Sequence, residues 1–233
     1  MSASFSADRV NIFYGRISEF EPVDSLPVLS DEELARADRY LLPEDKHRYI
    51  ISKSILKRLI IRFLNTEEKN IRIDLTKNGK PFLAGYPGFQ FNTSHSDDAF
   101  AIGFTSGKEI GIDIENRQRV PNIQALERFL FTTDELKIVR QLEESRKQEV
   151  FIESWTRKEA LLKSGGEGLT KSMNCLEVSF MQDKQFSLET EDQLHKTEWF
   201  LESFTLMNEY SGAVAVKGKI NEVCYTRIDR STF

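Results

Sequence analysis

The stretch Ile110-Gly111-Ile112-Asp113-Ile114-Glu115 decides how this chain is read. Isoleucines at 110, 112 and 114 alternate with Gly111, Asp113 and Glu115. β-Branched residues at a period of two specify a strand with one buried face. Asp113 and Glu115 stand at i and i+2, so they leave the other face together, ~7 Å apart along the strand. Gly111 lies on that acidic face and leaves room for something to approach the backbone. Two hard oxygen ligands on a rigid strand suit Mg²⁺, which takes one or two carboxylates together with phosphates and waters. Alone, the pattern more often describes a half-exposed strand with a solvated acidic face.

A second stretch follows, Trp155-Thr156-Arg157-Lys158-Glu159-Ala160-Leu161-Leu162-Lys163. From Gln148 to Lys163 there is no Gly or Pro, and Gly165-Gly166 supplies a stop, so the spacing predicts a helix. Phe151, Trp155 and Leu162 fall near one stripe. Glu159 is four residues after Trp155 and Lys163 four after Glu159, so they climb one side. Trp155 can anchor that side in the core while Glu159 and Lys163 reach a cleft. In isolation the Glu159–Lys163 pair reads as a solvated i,i+4 ion pair of about 0.3–0.5 kcal/mol.

The two stretches in order resemble the signature of the 4′-phosphopantetheinyl transferases, GIDIE followed some forty residues later by W-x-x-K-E-x-x-x-K. The segment Phe91-Asn92-Thr93-Ser94-His95-Ser96 is similar to the N-x-S-H-S of the Sfp-type branch, and the chain length agrees. The resemblance spans roughly residues 30 to 170. It implies an α+β pseudo-dimer of two similar halves, each a small, mostly antiparallel sheet packed with a long helix, and an active site in the cleft between them.

The rest of the chain fits two halves. Ser30 and Glu33 form a capping-box pattern at a helix start. A long helix is expected from about Glu44 to Leu64, with Tyr49, Ile50, Ile55, Leu59 and Phe63 in the core. Lys77-Asn78-Gly79-Lys80-Pro81 reads as a turn. Strands are expected near Phe89–Asn92, Ala99–Thr105 and Ile110–Glu115, with Ser106-Gly107 joining the last two as a hairpin. Thr133-Asp134-Glu135-Leu136 repeats the first helix start, and the strands Ala213–Val216 and Glu222–Arg227 look like a second hairpin. The expected boundary lies near Asn116–Val120, beside Pro121, giving an N-terminal half of 1–116 and a C-terminal half of 117–233.

Composition narrows the class. The chain has 233 residues, enough for one large or two small cores. Its formal net charge of −5 gives no global attraction to nucleic acid or anionic membranes. Met1–Arg16 has no signal-peptide pattern and no apolar run reaches membrane-spanning length. Cys175 and Cys224 fit no metal or redox spacing and read as packing residues. The expectation is a cytoplasmic monomer.

Residue by residue, the resemblance implies Mg²⁺ on Asp113, Glu115 and Glu159, with coenzyme A as donor and an acyl or peptidyl carrier protein as acceptor. Arg48 matches an arginine on the nucleotide 3′-phosphate, where a guanidinium fork suits a terminal phosphate. Lys80 matches a lysine near the nucleotide, and Ser94 and His95 a pair that contacts the donor phosphates. Lys158 and Lys163 would stabilise the leaving phosphate, with Lys163 also a proton donor. Glu159, or a metal-bound water beside it, would take the proton from the carrier serine. Arg117, Arg119 and Arg128, interleaved with Val120, Ile123, Leu126 and Phe129, offer a basic surface for an acidic carrier. The alternatives are an Mg²⁺-dependent nuclease or phosphatase and an inactive relative that only binds carriers. Arg117 stands where the common nuclease pattern has a lysine, and the full acid set argues against a mere binding module.

Overall fold

The computed structural model describes residues 6–118, 122–165, 172–181, 184–189 and 196–233. In chain order the strands are β1 (Arg9–Arg16), β2 (Ile73–Leu75), β3 (Pro81–Leu83), β4 (Phe89–Ser96), β5 (Ala99–Ser106), β6 (Ile110–Asn116), β7 (Lys184–Glu189), β8 (Lys196–Leu206), β9 (Tyr210–Lys217) and β10 (Glu222–Arg227). The helices are α1 (Pro22–Ser25), α2 (Asp31–Ala37), α3 (Pro43–Leu64), α4 (Ile123–Leu130), α5 (Thr133–Val139) and α6 (Glu144–Gly165).

Local chemistry explains the repeat of helix types. Ser30 and Thr132 each cap a seven-residue helix with a complete capping box, through Glu33 and Glu135. Pro43 opens α3, where a missing N–H costs nothing, and Asn65 ends it in the left-handed region (φ 47°). Both α3 and α6 run for 22 residues. The turn at Lys77–Pro81 closes with Thr76 N–H on the Lys80 carbonyl and Gly79 at φ 84°.

The molecule has two halves of α+β type, each a small, mostly antiparallel four-stranded sheet backed by one long helix. The first sheet has the order β10-β1-β5-β4 and the second β6-β9-β8-β7. Among the described residues every pairing is antiparallel except β1 with β10. Phe13, Phe91, Phe100, Ile102 and Phe104 face α3 and meet its Ile51, Ile55, Leu59 and Ile60. On the other face of that sheet, Val10, Ile12, Ala99 and Ala101 meet Ile110, Ile112, Ile114, Val214 and Val216 of the second sheet. Ala213, Ala215 and Leu201 then pack on Ala160 and Leu161 of α6. The order of layers is helix, sheet, sheet, helix.

Two expected hairpins are not formed. β6 does not pair with β5 but with β9, from Ile110 opposite Val216 to Asn116 opposite Tyr210. β10 does not pair with β9; it crosses back and runs parallel to β1. The reason lies in the side chains. Gly103 of β5 leaves a gap that Ile110 fills, since a Cβ there would stand 2.9 Å from Ile110 Cδ1. β6 therefore lies across the face of β5 rather than along its edge. A cut at 116/117 leaves each half holding one strand of the other's sheet. Residues 119–121, where the linker was expected, and Gly166 of the stop signal lie outside the described residues. Cys175 is exposed rather than packed, and Cys224 is half-buried.

Candidate active site

The acidic face of β6 is met by α6. Gly111 makes this contact close: a Cβ would stand 2.0 Å from the Ala160 carbonyl oxygen and 2.4 Å from the Ser164 nitrogen. The approaching group that a glycine on this face allowed for is the helix backbone itself. Two residues on, Asp113 is buried and its Oδ1 accepts from Lys163 Nζ at 2.6 Å and from Ser94 Oγ at 2.9 Å. Asp113 Oδ2 is buried and has no hydrogen-bond partner among the described residues. Glu115 Oε2 accepts from Ser96 Oγ at 2.9 Å.

Burial raises the Asp113 carboxyl above the ordinary carboxylate range, against the pull of Lys163 and Ser94. Glu159, half-buried on α6, is raised by burial and then by the negative charges of Asp113 and Glu115. Gly111 lies against Ala160 and Lys163 bonds Asp113, so the side of α6 that carries Glu159 and Lys163 meets the acidic face of β6. Among the described residues no three such groups stand in a ready-made metal geometry. The chemistry of the set nevertheless fits a hard divalent cation: three carboxylates, one with a buried oxygen lacking a donor among the described residues.

A cleft of about 240 Å³ lies beside this cluster, lined by Tyr40, Arg48, Lys53, Thr93, His95 and Pro81 among others. Its wall is β4. The face that presents Phe89 and Phe91 to α3 continues as Thr93 and His95, so it turns from aromatic to polar midway along the strand. The His95 imidazole, on the exposed wall of the cleft, is pushed below its ordinary value by partial desolvation from its neighbours, and further by Arg48 and Lys163. Arg48 is half-buried and bonds Asp45 Oδ1 at 2.9 Å, one turn earlier on α3. Arg36 stacks its guanidinium over Tyr49, 5.6 Å from the ring centre.

Two expected ligands of the donor sit elsewhere. Lys158 is fully buried and donates to the Leu130 carbonyl at 2.7 Å and to Glu135 Oε2 at 2.5 Å. One residue along a helix is ~100° of rotation, so Lys158 faces α4 and α5 while Glu159 faces β6. Burial alone would raise the Glu135 carboxyl, but Lys158 and the N–H groups of Thr132 and Ser179 pull it below the usual range. This is a structural ion pair. Lys80 lines a neighbouring cavity that shares Pro81 with this cleft, and its Nζ donates to the Ser164 carbonyl at 2.7 Å and so caps the end of α6. Ser94 lines the cleft and also bonds Asp113. A serine has one proton to donate, and this one goes to Asp113 while Ile114 N–H and Lys163 donate to its oxygen at 3.3 Å each. Of the expected basic surface, Arg117 and Arg128 are exposed, Ile123 and Leu126 pack into the core, and Arg119 and Val120 lie outside the described residues.

Sequence profiles of known families match both halves. Residues 109–215 match the 4′-phosphopantetheinyl transferase superfamily, and residues 18–105 match the N-terminal part of 4′-phosphopantetheinyl transferases. The transferase HetI of a Nostoc species is 30% identical over 198 residues, covering 84% of this chain and 81% of that protein. The chain belongs to the 4′-phosphopantetheinyl transferase superfamily. Other superfamily members are similar over comparable spans. The Bacillus subtilis transferase Sfp is 27% identical, covering 76% of this chain and 77% of its own. A rat L-aminoadipate-semialdehyde dehydrogenase-phosphopantetheinyl transferase is 27% identical, covering 81% and 67%. A solved holo-(acyl-carrier-protein) synthase from Bacillus anthracis matches 48% of this chain and 96% of its own, at 24% identity and a TM-score of 0.33.

Asn92 and Ser96 were not among the expected site residues of this superfamily member, nor was Glu135 as the partner of Lys158. The first two had a signal in the sequence: polar side chains at 92, 94 and 96 share one strand face directly after Phe89 and Phe91.

Proposed function

We propose that this chain transfers the 4′-phosphopantetheine arm of coenzyme A to a serine of an apo acyl or peptidyl carrier protein, with Mg²⁺, releasing adenosine 3′,5′-bisphosphate. The observation that supports it best is the convergence of Asp113, Glu115, Glu159 and Lys163 beside a cleft bearing Arg48 and His95. We place it in the Sfp-type branch, because both halves of the fold lie in one chain of 233 residues.

Asp113, Glu115 and Glu159 would hold the metal. A divalent cation bound there would neutralise the pyrophosphate and make its phosphorus open to attack. Arg48, now paired to Asp45 at a half-exposed position, is free to exchange that carboxylate for a dianionic phosphate. His95 lies within the same cleft and gains a proton more readily once an anion adjoins it. Lys163, 2.6 Å from Asp113 Oδ1, would supply positive charge to the departing phosphate. Glu159, or a water beside it, would accept the serine proton. Ser94 lines the same cleft, where it would contact the donor phosphates, and supports Asp113.

The test is mass spectrometry of apo-carrier proteins incubated with the chain, coenzyme A and Mg²⁺. A mass gain of one phosphopantetheine arm on the serine is expected. Hydrolysis of DNA or phosphate esters without that gain would replace this reading with the hydrolytic one.

A further inference from the structure

β4 and β6 are both edge strands, one from each sheet, and they run side by side without a backbone ladder. An edge strand leaves every second N–H unpaired. On β6 the outward N–H groups are those of Ile112, Ile114 and Asn116, and each is met by a side chain of β4. Ile112 N–H donates to Asn92 Oδ1 at 2.9 Å, Ile114 N–H to Ser94 Oγ at 3.3 Å, and Asn116 N–H to Ser96 Oγ at 3.0 Å. The two hydroxyls accept from the backbone and donate onward to a carboxylate on the same strand. Ser94 donates to Asp113 and Ser96 to Glu115, each at 2.9 Å.

We propose that Ser96 is a positioning residue that fixes the Glu115 carboxylate for a divalent cation, as Ser94 does for Asp113. Side chains thus replace the ladder at this seam, so its width is set by a serine reach rather than by backbone spacing. One hydroxyl both registers β6 against β4 and selects the rotamer of the acid beside it. Its single proton goes to one carboxylate oxygen, Oε2. Groups that orient a metal ligand in this way typically control affinity by about 10–100-fold. The proposal rests on the reading of Asp113, Glu115 and Glu159 as metal ligands.

The experiment measures Mn²⁺ binding directly, by electron paramagnetic resonance of free Mn²⁺, with coenzyme A present. Wild type, Ser96→Ala, Ser96→Thr and Glu115→Gln are compared, together with metal-free unfolding midpoints. We expect Ser96→Ala to bind Mn²⁺ about tenfold more weakly, and Ser96→Thr, which keeps the hydroxyl, to bind as wild type. The concentration of metal for half-maximal transfer should move in parallel, with the Michaelis constant for carrier unchanged. Wild-type Mn²⁺ affinity in folded Ser96→Ala would overturn the proposal while leaving the metal reading intact. If wild type and Glu115→Gln bind Mn²⁺ equally, the metal reading fails instead. Should Ser96→Ala lower the unfolding midpoint strongly, Ser96→Cys, of similar volume and with a weak donor, takes its place, and the same two outcomes decide.

Discussion

Gly111 is where the loss of a single hydrogen would matter most. Its Cα lies so close to the backbone of α6 that an added Cβ would overlap the Ala160 carbonyl and the Ser164 nitrogen. Neither is the end of a flexible side chain, so the helix itself must move. Lys163 lies on that turn and would leave Asp113. We expect Gly111→Ala to destabilise the fold by about 1–3 kcal/mol and to lower turnover by ~10²-fold, the scale of a ~1 Å misplacement of catalytic groups. Steady-state kinetics on the folded variant would check it, and near-normal turnover would mean that α6 is free to shift. Arg48 offers a test of donor recognition. Arg48→Ala should weaken coenzyme A binding about tenfold, the worth of one charge-assisted hydrogen bond, and leave 3′-dephospho-coenzyme A nearly unaffected. Equal losses for both donors in a titration would remove the 3′-phosphate from Arg48.

The element that gathers the site is α6. Its one side carries Glu159 and Lys163 to β6, and its other carries Lys158 into the Glu135 pair beneath α5. Breaking a buried pair by removing one partner costs about 3–5 kcal/mol, so Lys158→Ala acts on the helix and not on the donor. The acids on the cleft side have the opposite effect on stability. Burial raises both Asp113 and Glu159, so the folded chain holds their protons more tightly than the unfolded one. The stability linked to these protons is complete below the ordinary carboxylate range and is lost as pH rises through the folded values. Glu159→Gln should therefore raise the metal-free unfolding midpoint at neutral pH by ~2–4 °C, the shift of about 1 kcal/mol in a chain of this size. The gain should vanish in acid, where Glu159 is protonated in both states. A midpoint difference that is constant from pH 4 to pH 8, followed by circular dichroism, would show that charge repulsion is not its source.

At the scale of the whole molecule, the exchange of strands makes each half depend on the far end of the chain. β10 closes the first sheet along β1, and the segment after it places Ile228 in the core under α3, with Ile228 N–H on the Tyr14 carbonyl at 2.8 Å. Removing residues 222–233 deletes no member of the site. It should nevertheless cost at least ~2 kcal/mol from the burial of Ile228 alone, a fall of about 4–8 °C in the unfolding midpoint. Thermal unfolding of the truncated chain measures it. An unchanged midpoint would mean that the first half is complete without β10.

What the sequence determined by itself was local. Period-two isoleucines made β6 a strand and put Asp113 and Glu115 on one face; Ser30 and Thr132 started their helices; the 3–4 spacing of α6 set Glu159 and Lys163 on one side. Each of these follows from geometry within one turn or one strand, so no distant residue enters. The tertiary structure decided which edges meet. Strand pairing depends on what fills the space between sheets, and Gly103 against Ile110 settled that β6 crosses β5 and pairs with β9. It also decided the fate of polar residues that periodicity left ambiguous. Lys158 differs from Lys163 by its rotation about the helix axis, and only the position of Glu135 turns it inward. Ser96 gains its role because the edge of a strand from the other sheet arrives with N–H groups unpaired, and buried donors must find acceptors wherever the fold supplies them.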